Sequence, residues 1–320
     1  MKRIPAVIGI DTSNYCTSLA LLGFTGQLLA DERIWLPVPE GERGMQQSEA
    51  VFHHVTHLPR LFIRIDFSQI LVKGIGVSTA PRPVEGSYMP VFRVGTSWAT
   101  SLAQVLNVPL IETTHQEGHL AAGEMSTSPP LTANQFLAVH LSGGTTELLS
   151  VQRMPTGYKI ERIGGTTDLN AGQLVDRIGV ALGLSFPAGA ELEKLVQRSP
   201  EGSSFAVPSA VKGLECSFSG PYTALMRALK EEKVSTSTLA FAVFRCIANT
   251  LEKILRNAFA KGYPREVLIV GGVAANQLIR QRLRERLEHH SVGGTLYFAE
   301  PRLSGDNAVG VARLTLRQVE

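Results

Sequence analysis

One arrangement of strands and turns occurs twice in this chain, and that recurrence restricts its fold more than any other feature. Near the N-terminus an apolar strand, Val7 to Ile10, runs into a polar turn at Asp11 to Tyr15. A second strand follows at Thr17 to Leu22, then a turn at Gly26 and a third strand at Leu28 to Ile34. In mid-chain the order returns as Phe136 to Leu141, Ser142-Gly143-Gly144-Thr145, Thr146 to Val151, Gly157, and Tyr158 to Ile163. The repeat is one of pattern, not of sequence. Two such runs, each opening its own α/β stretch, predict two related lobes whose small-residue turns face each other. A length of 320 residues accommodates two units of this kind.

The turns suggest what the lobes hold. Glycine and hydroxyl residues between strands leave backbone N–H groups free and let them approach a phosphate closely. One such turn alone reads as an ordinary hairpin; the facing pair reads as a grip on a nucleotide phosphate tail. A third element agrees: Val267 to Val270 is an apolar strand of the type buried in parallel sheets, followed by Gly271-Gly272 and a helix starting near Ala275-Asn276. Helical periodicity predicts further helices at about Gly95 to Leu106, Gly172 to Leu182, Thr238 to Ala260 and Asn276 to His289. Residues 123–134 read as a turn-rich connection near the lobe boundary, and Pro81-Arg82-Pro83 and Ser199 to Ser204 as surface loops.

Two short segments carry candidate chemistry, His115-Gln116-Glu117-Gly118-His119 and Leu303-Ser304-Gly305-Asp306-Asn307. Histidines four apart share a helical face, and an aspartate from a distant loop completes a three-ligand metal site with open positions. The competing reading is chance spacing, since a chain with 8 histidines sometimes places two of them four apart. A metallopeptidase needs Glu directly after the first His as general base, and that position is Gln116. On a helix Glu117 points roughly 160 to 200° away from both histidines, which argues against that chemistry.

Bulk properties exclude several classes. With 44% hydrophobic and 18% charged residues, the chain can bury a substantial core. Its 3 cysteines are scattered and form no C-x-x-C, which fits a reducing cytoplasm rather than a disulfide framework or zinc ribbon. The first residues are broken by Asp11, so neither a signal peptide nor an anchor is expected there, and no membrane span is expected elsewhere. A net charge of +3 neither demands nor excludes nucleic acid. Arg280, Arg282, Arg284 and Arg286 are interleaved with Glu285 and Glu288 and read as a solvated helix face.

Taken together, the motifs resemble the TsaD family of tRNA threonylcarbamoyladenosine transferases, formerly grouped as O-sialoglycoprotein endopeptidases in peptidase family M22. His115 to Leu120 resembles the family's H-x-E-G-H-L, Leu141 to Gly144 its V-S-G-G, and Asp168 to Asp176 its D-D-A-A-G-E-A-F-D. Phe186 to Gly189 resembles its Y-P-G-G, Ser217 to Gly220 its F-S-F-S-G, Gly271 to Asn276 its G-G-V-x-A-N, and Asp306-Asn307 its D-N. The resemblance spans nearly the whole chain. It implies a two-lobed actin/Hsp70-like ATPase (ASKHA) α/β fold with duplicated βββαβα cores. The expected lobes are residues 1–114 with 305–320, and residues 115–304.

The resemblance further implies iron or zinc held by His115, His119 and Asp306. It places an ATP- or adenylate-type nucleotide against Ser142, Gly143, Gly144, Asp176, Gly189, Glu193 and Asn276. The family reaction moves a threonylcarbamoyl group from an adenylate to N6 of an adenosine in tRNA, with partner proteins and no membrane involved. Asp11 is the candidate catalytic residue, as proton acceptor or water-orienting group, with capping of its turn as the alternative role. An apolar helix of the N-terminal lobe is the expected source of a homo- or heterodimer. The chain departs from the pattern in three places: Tyr15 and Cys16 stand where the family carries an acidic pair, Thr145 replaces a histidine, and Thr79-Ala80-Pro81-Arg82-Pro83 replaces its glycine-rich T-A-G-P-G, stiffer and bearing a charge. These departures suggest a diverged paralog and leave a second reading beside the transferase, a non-catalytic nucleotide-binding scaffold that serves a partner.

Overall fold

Each of the two strand-and-turn runs forms three antiparallel strands of its own sheet. The computed structural model describes residues 3–13, 15–38, 45–196, 205–232 and 234–320. The first run gives β1 (Ile4–Asp11), β2 (Cys16–Gly23) and β3 (Leu28–Trp35). It continues through α1 (Gln47–Ile63), β4 (Ile70–Ala80), α2 (Phe92–Leu106) and β5 (Leu110–Thr114) into α3 (His115–Ser126). The sheet order is β3-β2-β1-β4-β5, with β4 and β5 parallel to β1.

The second run gives β6 (Gln135–Leu141), β7 (Thr146–Met154) and β8 (Gly157–Thr166). After it come α4 (Ala171–Ala181), α5 (Gly189–Val196), the short strands β9 (Ala210–Lys212) and β10 (Glu215–Ser217), and α6 (Ser219–Lys230). The chain then forms α7 (Thr236–Ala260), β11 (Glu266–Val270), α8 (Gln277–Leu287), β12 (Thr295–Phe298), α9 (Pro301–Ser304) and α10 (Val309–Val319). The order is β12-β11-β6-β7-β8-β10-β9. Without the β9–β10 extension, the second sheet repeats the connectivity of the first, strand for strand, so the duplicated core expected from the sequence is present.

The apolar runs of β1 and β11 are explained by burial on both faces, as parallel strands in α/β layers require. The second sheet rests on α7, whose buried face includes Leu239, Val243, Ile247, Leu251 and Leu255. The first sheet takes its cover from the far end of the chain: Val7, Ala20 and Leu22 pack with Val309, Ala312 and Leu316 of α10. Helix α10 also crosses α3 closely; a Cβ on Gly310 would lie 1.8 Å from the Gly118 carbonyl oxygen. Because α10 returns to the first sheet, we propose the lobe boundaries at 114/115 and 304/305.

Two expectations need correction. Helix α3 runs on to Ser126, so the first four residues of the expected turn-rich stretch 123–134 are helical. They stay helical because this stretch of α3 is buried between the two sheets: Ala121 packs against the second sheet, where a Cβ on Gly123 would lie 2.6 Å from Val270 Cγ1, and Ala122 packs with Val7, Ala20 and Leu22 of the first. The arginine face of α8 is also only partly solvated: Arg280 donates to the Ala274 and Ala299 carbonyls and Arg282 to Asn249 Oδ1. The loop expected at Ser199 to Ser204 lies outside the described residues. All three cysteines are buried and free, and no described helix is long and apolar enough to cross a membrane.

Candidate metal centre and nucleotide cradle

The two histidines owe their positions to the start of α3. Thr114 caps the helix by accepting from the Glu117 N–H, and the Glu117 carboxylate accepts in return from the Thr114 N–H at 3.0 Å. That capping box fixes the first turn, with His115 at its first position and His119 one turn on. Glu117 is thereby spent on the cap. Gln116 is tied down as well, donating from Nε2 to Glu147 Oε2 at 2.8 Å.

The Nε2 atoms of His115 and His119 lie 3.0 Å apart, and Asp306 Oδ1 lies 3.6 and 3.5 Å from them. All three donor atoms fall within 4.8 Å of one another. Asp306 reaches this point from the loop between α9 and α10. That loop is pinned on one side by Ser304 Oγ donating to the Gly271 carbonyl at 2.8 Å. On the other side Asn307 Oδ1 accepts from the Val309 N–H at 3.0 Å. Behind the pair stands Asp11, buried, with Oδ2 2.7 Å from His115 Nδ1 and Oδ1 accepting from the Ser13 N–H at 2.7 Å. Both oxygens of Asp11 are therefore engaged. It caps its turn and orients His115, as outer carboxylates orient metal-binding histidines; a role as free proton acceptor near phosphates is not what this geometry provides.

Burial works against charge on His115, but the Asp11 and Asp306 carboxylates outweigh it and hold the imidazolium up to about 10. Burial alone would raise Asp306, yet hydrogen bonds and charge from His115 and His119 hold it far below the usual carboxylate range. His119 is lowered, by burial first and by the neighbouring His115 charge second. Because the folded value of His115 lies above its ordinary 6.5, its stabilising contribution in the ion-free protein is full below about pH 6.5 and fades as pH rises through about 10. Ligation requires the Nε2 lone pair, so binding a divalent ion near pH 8 should release about one proton per ion. Calorimetric titration in two buffers of different ionisation enthalpy measures that number. Asp11→Asn should reduce it and weaken the ion about ten- to a hundredfold.

The residues expected at the nucleotide form a ring of neighbours. The Ser142-Gly143-Gly144 turn abuts α4, where the Gly172 N–H donates to the Ser142 carbonyl at 3.3 Å. Asp176 of α4 accepts from the Ala188 N–H at 2.9 Å and so holds the approach to Gly189; burial pushes its carboxyl up to about 6. Glu193 of α5 accepts from the Gln277 N–H at 2.7 Å, next to Asn276. Gly271 closes the circuit against the Leu141 backbone, where a Cβ would lie 2.4 Å from the carbonyl oxygen. Gly143, Gly144 and Gly272 of this ring are exposed, and Cβ atoms built on them meet nothing within 4 Å. Asn276 caps α8 through Oδ1, while its buried Nδ2 has no partner. Open glycines and an orphaned buried donor are what a cradle for a polar ligand leaves in a ligand-free chain.

The family model for TsaD, described as tRNA N6-adenosine threonylcarbamoyltransferase, matches residues 49–313. The chain belongs to the TsaD family. It is 29% identical over 309 residues to a probable bifunctional tRNA threonylcarbamoyladenosine biosynthesis protein of Methanothermobacter thermautotrophicus, covering 96% of this chain and 54% of that protein. It is also 29% identical over 306 residues to a tRNA N6-adenosine threonylcarbamoyltransferase of Archaeoglobus fulgidus, covering 95% and 88%. The chain thus spans about half the length of the bifunctional relatives it matches. Among solved structures, HypF of T. kodakarensis superposes with a TM-score of 0.59 at 15% identity, over 99% of this chain and 48% of HypF. The fold is the two-lobed ASKHA architecture.

Two departures of this TsaD-family chain from the family pattern, Tyr15 and Cys16, have structural explanations. Tyr15 sets its ring edge-on against Phe186 across the cleft, with centroids 5.5 Å apart, and Cys16 is fully buried at the start of β2. Both positions are thereby committed to packing. Thr145 closes its turn through its backbone carbonyl, which accepts from the Ser142 N–H at 2.8 Å as any residue's would, and nothing in the structure explains its side chain. Asn14, in the same first turn as Tyr15, lies outside the described residues. A polar group that sequence reasoning passes over is Glu147, buried, which pairs with Arg82 at 3.2 Å and Arg162 at 3.7 Å besides Gln116. Arg82 comes from the Pro81-Arg82-Pro83 loop after β4, so this ion pair joins the two sheets.

Proposed function

We propose that this TsaD-family chain modifies tRNA by transferring a threonylcarbamoyl group to N6 of adenosine, with an adenylate as donor and a metal ion at His115, His119 and Asp306. The observation that carries the reading is the convergence of those three donors within 4.8 Å beside the nucleotide ring. Two neutral-capable imidazoles and one carboxylate suit iron or zinc. Such an ion, when bound, supplies Lewis acidity toward a carbonyl or phosphate oxygen.

The chain's own groups account for the rest. Asp11 keeps the His115 lone pair aimed at the ion, while the backbone N–H groups of the Ser142 turn and the spare Asn276 amide bind and orient the nucleotide. In the transfer, the adenosine amine forms the new C–N bond to the carbamoyl carbon, the bond from that carbon to the adenylate oxygen breaks, and AMP leaves with the electron pair. The amine loses one proton, which the solvent takes up. Gln116 carries an amide, which is no base, and the Glu117 carboxylate is held in the helix cap, so neither serves as a hydrolytic base, which disfavours the peptidase reading.

Tested directly, the chain is incubated with tRNA, threonylcarbamoyl-adenylate and the family's partner proteins, and digested nucleosides are examined by mass spectrometry. Threonylcarbamoyladenosine is expected, and is expected to vanish in Asp306→Ala; nucleotide binding with no product at any partner concentration favours the scaffold reading instead. Gly144→Val, which fills open space in the fold, should change stability by less than about 0.5 kcal/mol while weakening nucleotide about tenfold or more. Thermal melting with and without ATP checks both. We place the partner or self-dimer contact on α1 and α2, where Phe52 is 65%, Ile63 84% and Val105 81% exposed. Sedimentation of Ile63→Glu against the unaltered chain tests that assignment.

A further inference from the structure

His140 sits one residue before the end of β6, 3% exposed, and neither of its ring nitrogens has a hydrogen-bond partner. An imidazole carries an N–H and a lone pair, or two N–H groups, so complete burial leaves two unmet polar atoms. Folded chains rarely leave buried polar atoms in that condition without a bound water, ion or ligand to meet them. The ring faces the metal centre. Its centroid is 4.6 Å from that of His119 and 6.5 Å from that of His115, whose own rings are 4.4 Å apart.

We infer that His140 is a third imidazole ligand of the ion held by His115, His119 and Asp306. The inference rests on the metal reading above and specifies its donor set. The His140 nitrogens stand outside the 4.8 Å circle that holds the other three donor atoms, so ligation needs the ring to turn about its side-chain bonds. No hydrogen bond opposes that turn, because neither nitrogen is engaged.

The added ligand changes what the centre selects. Three imidazoles and one carboxylate favour nitrogen-preferring ions such as zinc, iron, nickel or copper over magnesium or calcium. Four protein donors fill a tetrahedral ion completely, so a centre of this composition that also contacts substrate has to be five- or six-coordinate.

X-ray absorption on the full chain loaded with Co(II), with imidazole scattering used to count ring ligands, distinguishes the two donor sets. Three imidazoles are expected in the unaltered protein and two in His140→Leu, together with Co(II) affinity about tenfold or more weaker by chelator competition. Two imidazoles in the unaltered protein overturn the inference even if His140→Leu binds more weakly, since His140 then acts from outside the coordination sphere and the metal reading survives. A chain that takes up no Co(II) overturns both. Should His140→Leu fail to fold, the number of imidazoles in the unaltered protein still separates a ligand from a bystander.

Discussion

Asp306→Ala is expected to leave a folded protein that no longer retains its ion. Asp306 Oδ1 is the one anionic donor of the trio and touches both Nε2 atoms, at 3.5 and 3.6 Å. Outer groups that only orient ligands are worth about ten- to a hundredfold in affinity, so loss of a direct anionic ligand should exceed a hundredfold. Metal content after desalting should fall from about one ion per chain to near zero. The fold is expected to persist because the neighbouring Asn307, not Asp306, caps the turn into α10. Circular dichroism confirms folding, and full occupancy in the folded variant would sink the metal assignment.

Gly310→Val should have the largest effect on stability. The new Cβ would lie 1.8 Å from the Gly118 carbonyl oxygen and 2.9 Å from the Ala122 N, and backbone on a packed helix cannot give way as a flexible side chain does. Overpacking of this kind costs about 1–3 kcal/mol, and more where backbone must shift. The displacement also acts on the metal, because Gly118 lies between His115 and His119 while Gly310 lies four residues after Asp306. A lowered melting temperature together with weaker metal binding is expected; a variant that melts like the parent and binds metal normally contradicts the close crossing of α3 and α10.

Much of the fold is legible because local signals agree with tertiary demands. The strand-and-turn runs combine apolar segments with glycine turns, and all six of their strands form within a few residues of expectation. Strand β4 is harder to read, since Lys73, Gly74 and Gly76 interrupt its apolar run. Helix α10 is rich in β-branched residues and becomes helical through its packing on the first sheet. In the candidate site, the spacing of His115 and His119 is visible in the sequence, and Asp306 stands out in its loop segment, but only the fold brings that loop to the two histidines. Asp11 and His115 are 104 residues apart, so no local pattern shows that the carboxylate serves that histidine rather than a phosphate. His140 does leave a trace, as the one ionisable residue in an apolar strand, but only its unpartnered nitrogens give that trace a meaning.

The covering of the first sheet by α10 has a consequence for biosynthesis. Strands β1 to β5 leave the ribosome long before the helix that shields Val7, Ala20 and Leu22, so one greasy face of the N-terminal sheet waits uncovered while about two hundred further residues are made. Co-translational compaction should therefore begin on the opposite face of that sheet, where Leu58 and Leu61 of α1 and Ala99 and Ala103 of α2 follow its strands closely in sequence.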